Sequence, residues 1–226
     1  MHRYLIAAVL GFLSGSVMYS YYLPLVFCHV DIIKESEDHN PGMANAALYG
    51  GRVIGGICLV LDVLKGFLPV FISARVLDSA NPLFGLAVAA PVLGHAFTPL
   101  MRFHGGKAIS PAFGALIGLW QISGIICALA FPLIFTTFIL TVHPHSLRMI
   151  IASCALAVTA LISGQTPGVA AGAVCIASVL IYKHAINYDK KPFSLRLFVK
   201  IPLYQSKKHG GRRNNRAKAF AQAVYN

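Results

Sequence analysis

Acidic residues are nearly missing from this chain: Asp and Glu number seven in 226 residues, against nineteen Lys and Arg. Charged residues of both signs reach only 12%, whereas soluble domains carry about 25%. No polar stretch is long enough to fold a separate soluble domain. The five cysteines, Cys28, Cys58, Cys127, Cys154 and Cys175, are scattered, mostly within apolar runs, and lack metal-ligand spacing. They read as small buried hydrophobes. What the chain has in abundance is apolar side chains, at 57% of the sequence, and this makes it a polytopic membrane protein.

The apolar runs give seven candidate spans: Tyr4–Val26, Val53–Val76, Leu83–Met101, Ile109–Trp120, Ile122–Leu140, Leu147–Ile162 and Gly168–Tyr182. The first is too long for the core of a cleaved signal peptide and is read as a retained helix. About 20 residues cross a bilayer, so the fourth, sixth and seventh are short. Residues 109–140 are too long for one helix, and Gln121, Ser123 and Gly124 offer a break. The expected fold class is therefore all-α, with about seven transmembrane helices, the N-terminus outside and the C-terminus cytoplasmic.

Charge placement agrees with that count. Eleven of the nineteen Lys and Arg lie between Lys183 and Lys218, in a tail that the positive-inside rule assigns to the cytoplasm. The loops sharing its side hold or adjoin Lys34, Arg52, Arg102, Lys107 and Arg148, whereas the loops near 77–82, 121–123 and 163–167 hold none. On a membrane protein, such a tail is expected to rest on anionic lipid rather than on nucleic acid. The chain thus divides into a membrane domain, 1–188, and a basic cytoplasmic tail, 189–226.

Four constellations carry possible chemistry. Residues 94–107, GHAFTPLMRFHGGK, end in a Gly-Gly-Lys turn. Glycines let backbone N–H groups converge on an oxyanion, and lysine adds a movable point charge. Gly105, Gly106 and above all Lys107 are candidates, with His95 as either a ligand or a core hydrogen bonder. The first loop, 31–52, has turn signals at Asn40-Pro41-Gly42 and Gly50-Gly51, which suit either an anion nest or an ordinary connector. Its acids Asp31, Glu35, Glu37 and Asp38 would repel a phosphate. Asp62 and Lys65 share one face of the second span. Charges there are costly and functional by default, although an ion pair that only locks helices together is the alternative. Finally, KHAIN at 183–187 puts His184 and Asn187 on one face at the inner end of the last helix. All four clusters fall on the cytoplasmic side, which suggests a site for an anionic, phosphorylated substrate.

In this order the motifs resemble the PlsY family of acyl-phosphate:glycerol-3-phosphate acyltransferases, over about Gly11 to Tyr188. GFLSGS at 11–16 looks like the family's opening of the first helix. HNPGMAN at 39–45 resembles its GNPGATN, and LDVLKGFLPV at 61–70 is nearly identical to its second motif. GHAFTPLMRFHGGKA at 94–108 resembles GHxFxxxxxFxGGKG, and KHAIN resembles the terminal RHxxN. The resemblance implies a multi-pass protein of the bacterial inner membrane that passes an acyl chain from acyl phosphate to the 1-hydroxyl of glycerol 3-phosphate. The products would be lysophosphatidic acid and inorganic phosphate, with no cofactor or metal. On that reading we expect Lys107, His184 and Asn187 to hold glycerol 3-phosphate, and Asn40, Gly42 and Asn45 to hold the acyl-phosphate head. Asp62, Lys65, His95, Gly105 and Gly106 are the further expected substrate-binding residues, and Asp38 or His39 is a candidate general base, with a departing phosphate oxygen as the alternative proton acceptor.

The chain departs from the family pattern in the first loop. Asp38 stands where a serine is expected, Ala44 replaces a threonine, and Leu48 replaces an arginine. After Lys107, Ala108-Ile109-Ser110-Pro111 replaces Gly-Val-Ala-Thr. A non-catalytic family member, or an acyltransferase with another phosphorylated acceptor, are the alternative expectations.

Overall fold

The computed structural model describes residues 1–188 and 192–197. Most of the basic tail therefore lies outside the described residues. The chain begins with α1 (His2–Ser16) and α2 (Tyr19–Cys28), followed by the short α3 (Ile32–Glu35) and α4 (Met43–Tyr49). Then come α5 (Arg52–Val76), α6 (Phe84–Ala96), a 3-10 turn (Pro99–Met101), α7 (Ile109–Gly118) and α8 (Cys127–Ile134), which runs on as a π turn (Phe135–Ile139). The strand β1 (Leu140–His143), α9 (His145–Ile162), α10 (Pro167–Ile186) and β2 (Ser194–Leu197) complete the order.

Among the described residues, five segments are long and apolar enough to cross a membrane: His2–Cys28, Arg52–Val76, Phe84–Met101, His145–Ile162 and Pro167–Ile186. The other two expected spans are helical but shorter, at Ile109–Gly118 and Cys127–Ile139. The outer faces carry Leu5, Ile6, Val9, Leu10 and Leu13 on α1, and Val60, Leu64, Leu68 and Ile72 on α5, all exposed. So large an apolar surface suits lipid rather than water. The chain is a multi-pass membrane protein.

Small residues set the spacing between helices. Lipid tails are as apolar as leucine, so helices in a membrane gain by close backbone approach. A side chain at Gly15 would strike the backbone of Pro91, and one at Gly94 the carbonyl of Phe12, so α1 and α6 lie backbone to backbone. Gly66 and Gly114 do the same for α5 and α7, against Pro111 and Val63. The core, including Val88, Val92, Leu116, Met149, Leu156, Ile176 and Leu180, sits where α6, α7, α9 and α10 meet.

The first span is interrupted. Val17 is extended and Met18 leaves the helical region, so the carbonyls of Ser16 and Val17 lose their helical partners. Within a membrane such groups must be satisfied by protein. Thr98 Oγ1 donates to the Ser16 carbonyl at 2.8 Å, and Lys65 Nζ donates to the Val17 carbonyl. Lys65 in turn pairs with Asp62 at 2.8 Å, and Asp62 accepts from Ser20 Oγ on α2. Both charged side chains are almost fully buried. The ion pair thus holds the two halves of the first span at their break.

At the other end of the chain, β1 pairs antiparallel with β2, with Leu140 opposite Leu197 and His143 opposite Ser194. This ribbon joins Ser194–Leu197 to the segment that leads into α9.

Candidate active site

The first loop folds around one carboxylate. Asp31 caps α3, its Oδ1 accepting from the N–H groups of Ile33 and Lys34. His39 is left-handed, at φ 48°, with Nδ1 2.7 Å from the Ile33 carbonyl. That reversal brings Asp38 over the Asn40-Pro41-Gly42 turn. Asp38 Oδ1 accepts from the Asn40 N–H at 3.3 Å and from Asn45 Nδ2 at 2.8 Å. Asn45 Nδ2 also donates to the Asn40 carbonyl at 2.8 Å, and Gly42 N–H donates to that carbonyl at 2.8 Å. The second oxygen, Asp38 Oδ2, lies 3.2 Å from Lys107 Nζ. The Tyr49 phenol on α4 is held above its ordinary pKa by burial first, then by Glu37, Glu35 and Asp38. It therefore remains a neutral hydroxyl beside the acidic loop.

Lys107 is carried by a loop with a rigid bed. Thr98 caps the 3-10 turn, and Arg102 and Phe103 are both left-handed, which reverses the chain toward Gly105. Gly105 N–H donates to the Ala96 carbonyl at 3.2 Å. Lys183 Nζ reaches across from α10 and donates to the carbonyls of Ala96 at 3.1 Å and Gly105 at 2.9 Å. The two glycines are required sterically: a side chain at Gly105 would overlap the His95 carbonyl, and one at Gly106 the His95 ring. His95 itself is buried. Ala108, left-handed at φ 62°, then turns the chain into α7.

The inner end of α10 packs on the start of α9. His184 is fully buried, with Nδ1 2.8 Å from the Leu180 carbonyl and its ring edge-on to His145 at 6.1 Å between centroids. Asn187 Nδ2 donates to the Lys183 carbonyl at 3.2 Å, and Ser146 Oγ reaches the Asn187 carbonyl at 3.5 Å.

Three of the four expected constellations therefore meet. Asp38, Asn40, Gly42 and Asn45 join Lys107 through the ion pair, and Gly105, Gly106 and His95 join α10 through Lys183. His184 and Asn187 follow Lys183 on the same helix. Asp62 and Lys65 are engaged with each other, Val17 and Ser20, at the break in the first span. Lys183, the first residue of KHAIN, lies under the glycine loop, while His145 and Ser146 against His184 and Asn187 are neighbours that the sequence reading did not single out. Their one sequence signal is position: each lies beside an expected cytoplasmic loop. Among the described residues no group of His, Cys, Asp and Glu could hold a metal ion.

What this arrangement can do is bind and orient anions. Lys107, the Asn40 N–H and the Asn45 amide converge where two loops meet.

A family model described as glycerol-3-phosphate acyltransferase matches residues 5–191. The glycerol-3-phosphate acyltransferase of Thermotoga petrophila is 40% identical over 127 residues, a match covering 56% of this chain and 63% of that relative. That of Desulfovibrio desulfuricans is 33% identical over 183 residues, covering 79% of this chain and 77% of the relative. The crystal structure of PlsY, an integral membrane glycerol 3-phosphate acyltransferase, in its glycerol 3-phosphate form, superimposes with a TM-score of 0.69 at 22% identity. It covers 82% of this chain and 90% of PlsY, and at that identity the likeness speaks to the fold.

Proposed function

This chain belongs to the glycerol-3-phosphate acyltransferase family, and we propose that it transfers an acyl chain from acyl phosphate to the 1-hydroxyl of glycerol 3-phosphate. The products are lysophosphatidic acid and inorganic phosphate, and the reaction belongs to phospholipid synthesis. The observation that carries this reading is Lys107, fixed on a glycine loop and already engaged with an anion.

In the reaction, the 1-hydroxyl oxygen attacks the acyl carbonyl carbon. The new ester C–O bond forms as the acyl C–O bond to phosphate breaks, and the leaving phosphate takes the electron pair. The hydroxyl proton ends on that phosphate, so no separate base is needed. Lys107, His184 and Asn187 bind glycerol 3-phosphate, while Asn40, Gly42 and Asn45 bind the acyl-phosphate head. His95, Gly105 and Gly106 set the position of Lys107, and Asp62 with Lys65 holds the first span beside the site. The acyl chain lies in the membrane between helices.

The seven apolar helical segments cross a bacterial inner membrane with the N-terminus outside. The site and the tail from residue 189 then share the cytoplasmic face, where phosphorylated acceptors occur and where anionic lipid receives the tail's lysines and arginines.

The test is phosphate release by purified protein in lipid, supplied with palmitoyl phosphate and glycerol 3-phosphate, beside Lys107→Ala. Acceptor-dependent release that falls by at least 100-fold in the variant is expected. Well-folded protein that releases nothing at any acceptor concentration would make it a non-catalytic member, and release with a different phosphorylated acceptor would change the substrate.

A further inference from the structure

A negative charge placed beside a phosphate-binding lysine is a departure that calls for a role. The Asp38 carboxylate is held as a bound anion is held. One oxygen accepts from a backbone N–H of Asn40 and from the amide of Asn45, and the other from the ammonium of Lys107. These donors come from two separate loops, and they are the same kinds of group that cradle phosphate oxygens. The Lys107 side chain is only 13% exposed, while that of Asp38 is 44% exposed on a loop turned by the left-handed His39. The carboxylate is therefore the partner with room to move.

We propose that Asp38 is a built-in competitor at the anion site: its carboxylate occupies the donors of Lys107, Asn45 and Asn40 until a phosphate group displaces it, and it returns when phosphate leaves. The proposal rests on the reading of these loops as the phosphate site. A phosphate at Lys107 must break the Asp38–Lys107 pair, and it also meets the repulsion of the displaced carboxylate. Both effects weaken all phosphate-bearing ligands alike, which raises KM and speeds release of the inorganic phosphate product without altering the chemical step. The competing assignment, Asp38 as general base, needs a carboxylate oxygen turned toward the acceptor hydroxyl, whereas both oxygens here are turned to protein donors.

The test is titration of lipid-embedded protein with inorganic phosphate, read by calorimetry and independent of turnover. Asp38→Asn keeps the shape and removes the charge, and Asp38→Ser serves as a second variant should the first unfold. Tightening of phosphate binding by about tenfold is expected, equivalent to about 1.4 kcal/mol. The same gain should shrink to less than twofold in a Lys107→Gln background, because the two residues act as one unit. In turnover, the KM for glycerol 3-phosphate and the inhibition constant for phosphate should both fall with the charge removed. Unchanged or weaker phosphate binding in both variants overturns the proposal, as does a gain that persists without Lys107. A collapse of kcat at unchanged phosphate affinity would make Asp38 the base instead. Acceptor-dependent phosphate release by the unmodified protein, with no gain in the variants, would leave the transferase standing and remove the competitor. A gain without any turnover would do the reverse.

Discussion

The imidazole of His95 fills the space that a side chain at Gly106 would occupy. One residue of α6 thereby dictates glycine at a loop eleven positions later, and with it the place of Lys107. Gly106→Ala must push either the buried ring or the loop aside. We expect at least a tenfold loss in kcat/KM and a lower unfolding temperature. Gly56→Ala on α5 is the control, because nothing lies within 4 Å of its added methyl group. It should leave the unfolding temperature unchanged or raise it, since alanine favours a helix over glycine by about 1 kcal/mol.

Lys183 supports the same loop from the opposite side. Its ammonium satisfies two carbonyls, those of Ala96 and Gly105, in a buried position. Lys183→Met keeps most of the length and removes the donor: the Ala96 carbonyl keeps the Gly105 N–H, but the Gly105 carbonyl loses the ammonium, at about 1–3 kcal/mol. Chemical denaturation in detergent should report that loss. Steady-state kinetics should show a higher KM for glycerol 3-phosphate as Lys107 drifts, and high substrate should recover part of the rate. If Lys183 instead contacted the reacting groups, kcat would fall and saturation would recover nothing.

How far the sequence discloses this site follows from the kind of interaction involved. Five of the apolar runs became segments long enough to cross a bilayer, where the backbone must satisfy itself. The runs from Ile109 and Ile122 gave shorter helices, the second starting at Cys127 and yielding to a strand at Leu140. The Gly-Gly-Lys loop was legible because two adjacent glycines before a lysine carry their own geometric meaning. The break at Val17 was not. Gly15 and Ser16 precede it, but a Gly-Ser pair inside an apolar run also reads as a close helix contact, which is the use Gly15 has against Pro91. The break is made by Thr98 and Lys65, which are remote in sequence and supply the bonds that the helix gives up. Ser146 and His145 open a helix with no spacing pattern and acquire meaning from partners remote in sequence, Asn187 and His184 among them. The ribbon escaped for a related reason: Leu140 to His143 prolongs an apolar run, and its partner begins within the basic tail.

The Asp62–Lys65 pair predicts strong non-additivity. Each charge is buried and compensated chiefly by the other, and removing one partner of such a pair costs about 3–5 kcal/mol. Asp62→Asn and Lys65→Met should each lower the unfolding temperature sharply. The double variant should lose much less than the sum, because no uncompensated charge remains. Additive losses would mean that each residue acts through Ser20 or Val17 alone rather than through the pair.

Sidedness decides whether the assembled loops can meet a cytosolic substrate. With the five native cysteines replaced, Asp78→Cys and His104→Cys report on opposite ends of α6 and its 3-10 turn. Treatment of intact cells with a membrane-impermeant maleimide should label position 78, which lies in an expected outer loop. His104 neighbours the glycine loop and should react only after the membrane is opened. The positive loops at 34, 52, 102 and 107 draw this orientation, since their transfer outward would oppose the membrane potential at about 2.3 kcal/mol per charge per 100 mV. The reverse labelling would put Lys107 outside the cell, away from any cytosolic glycerol 3-phosphate, and the acceptor would then have to be a phosphorylated compound available at the outer face.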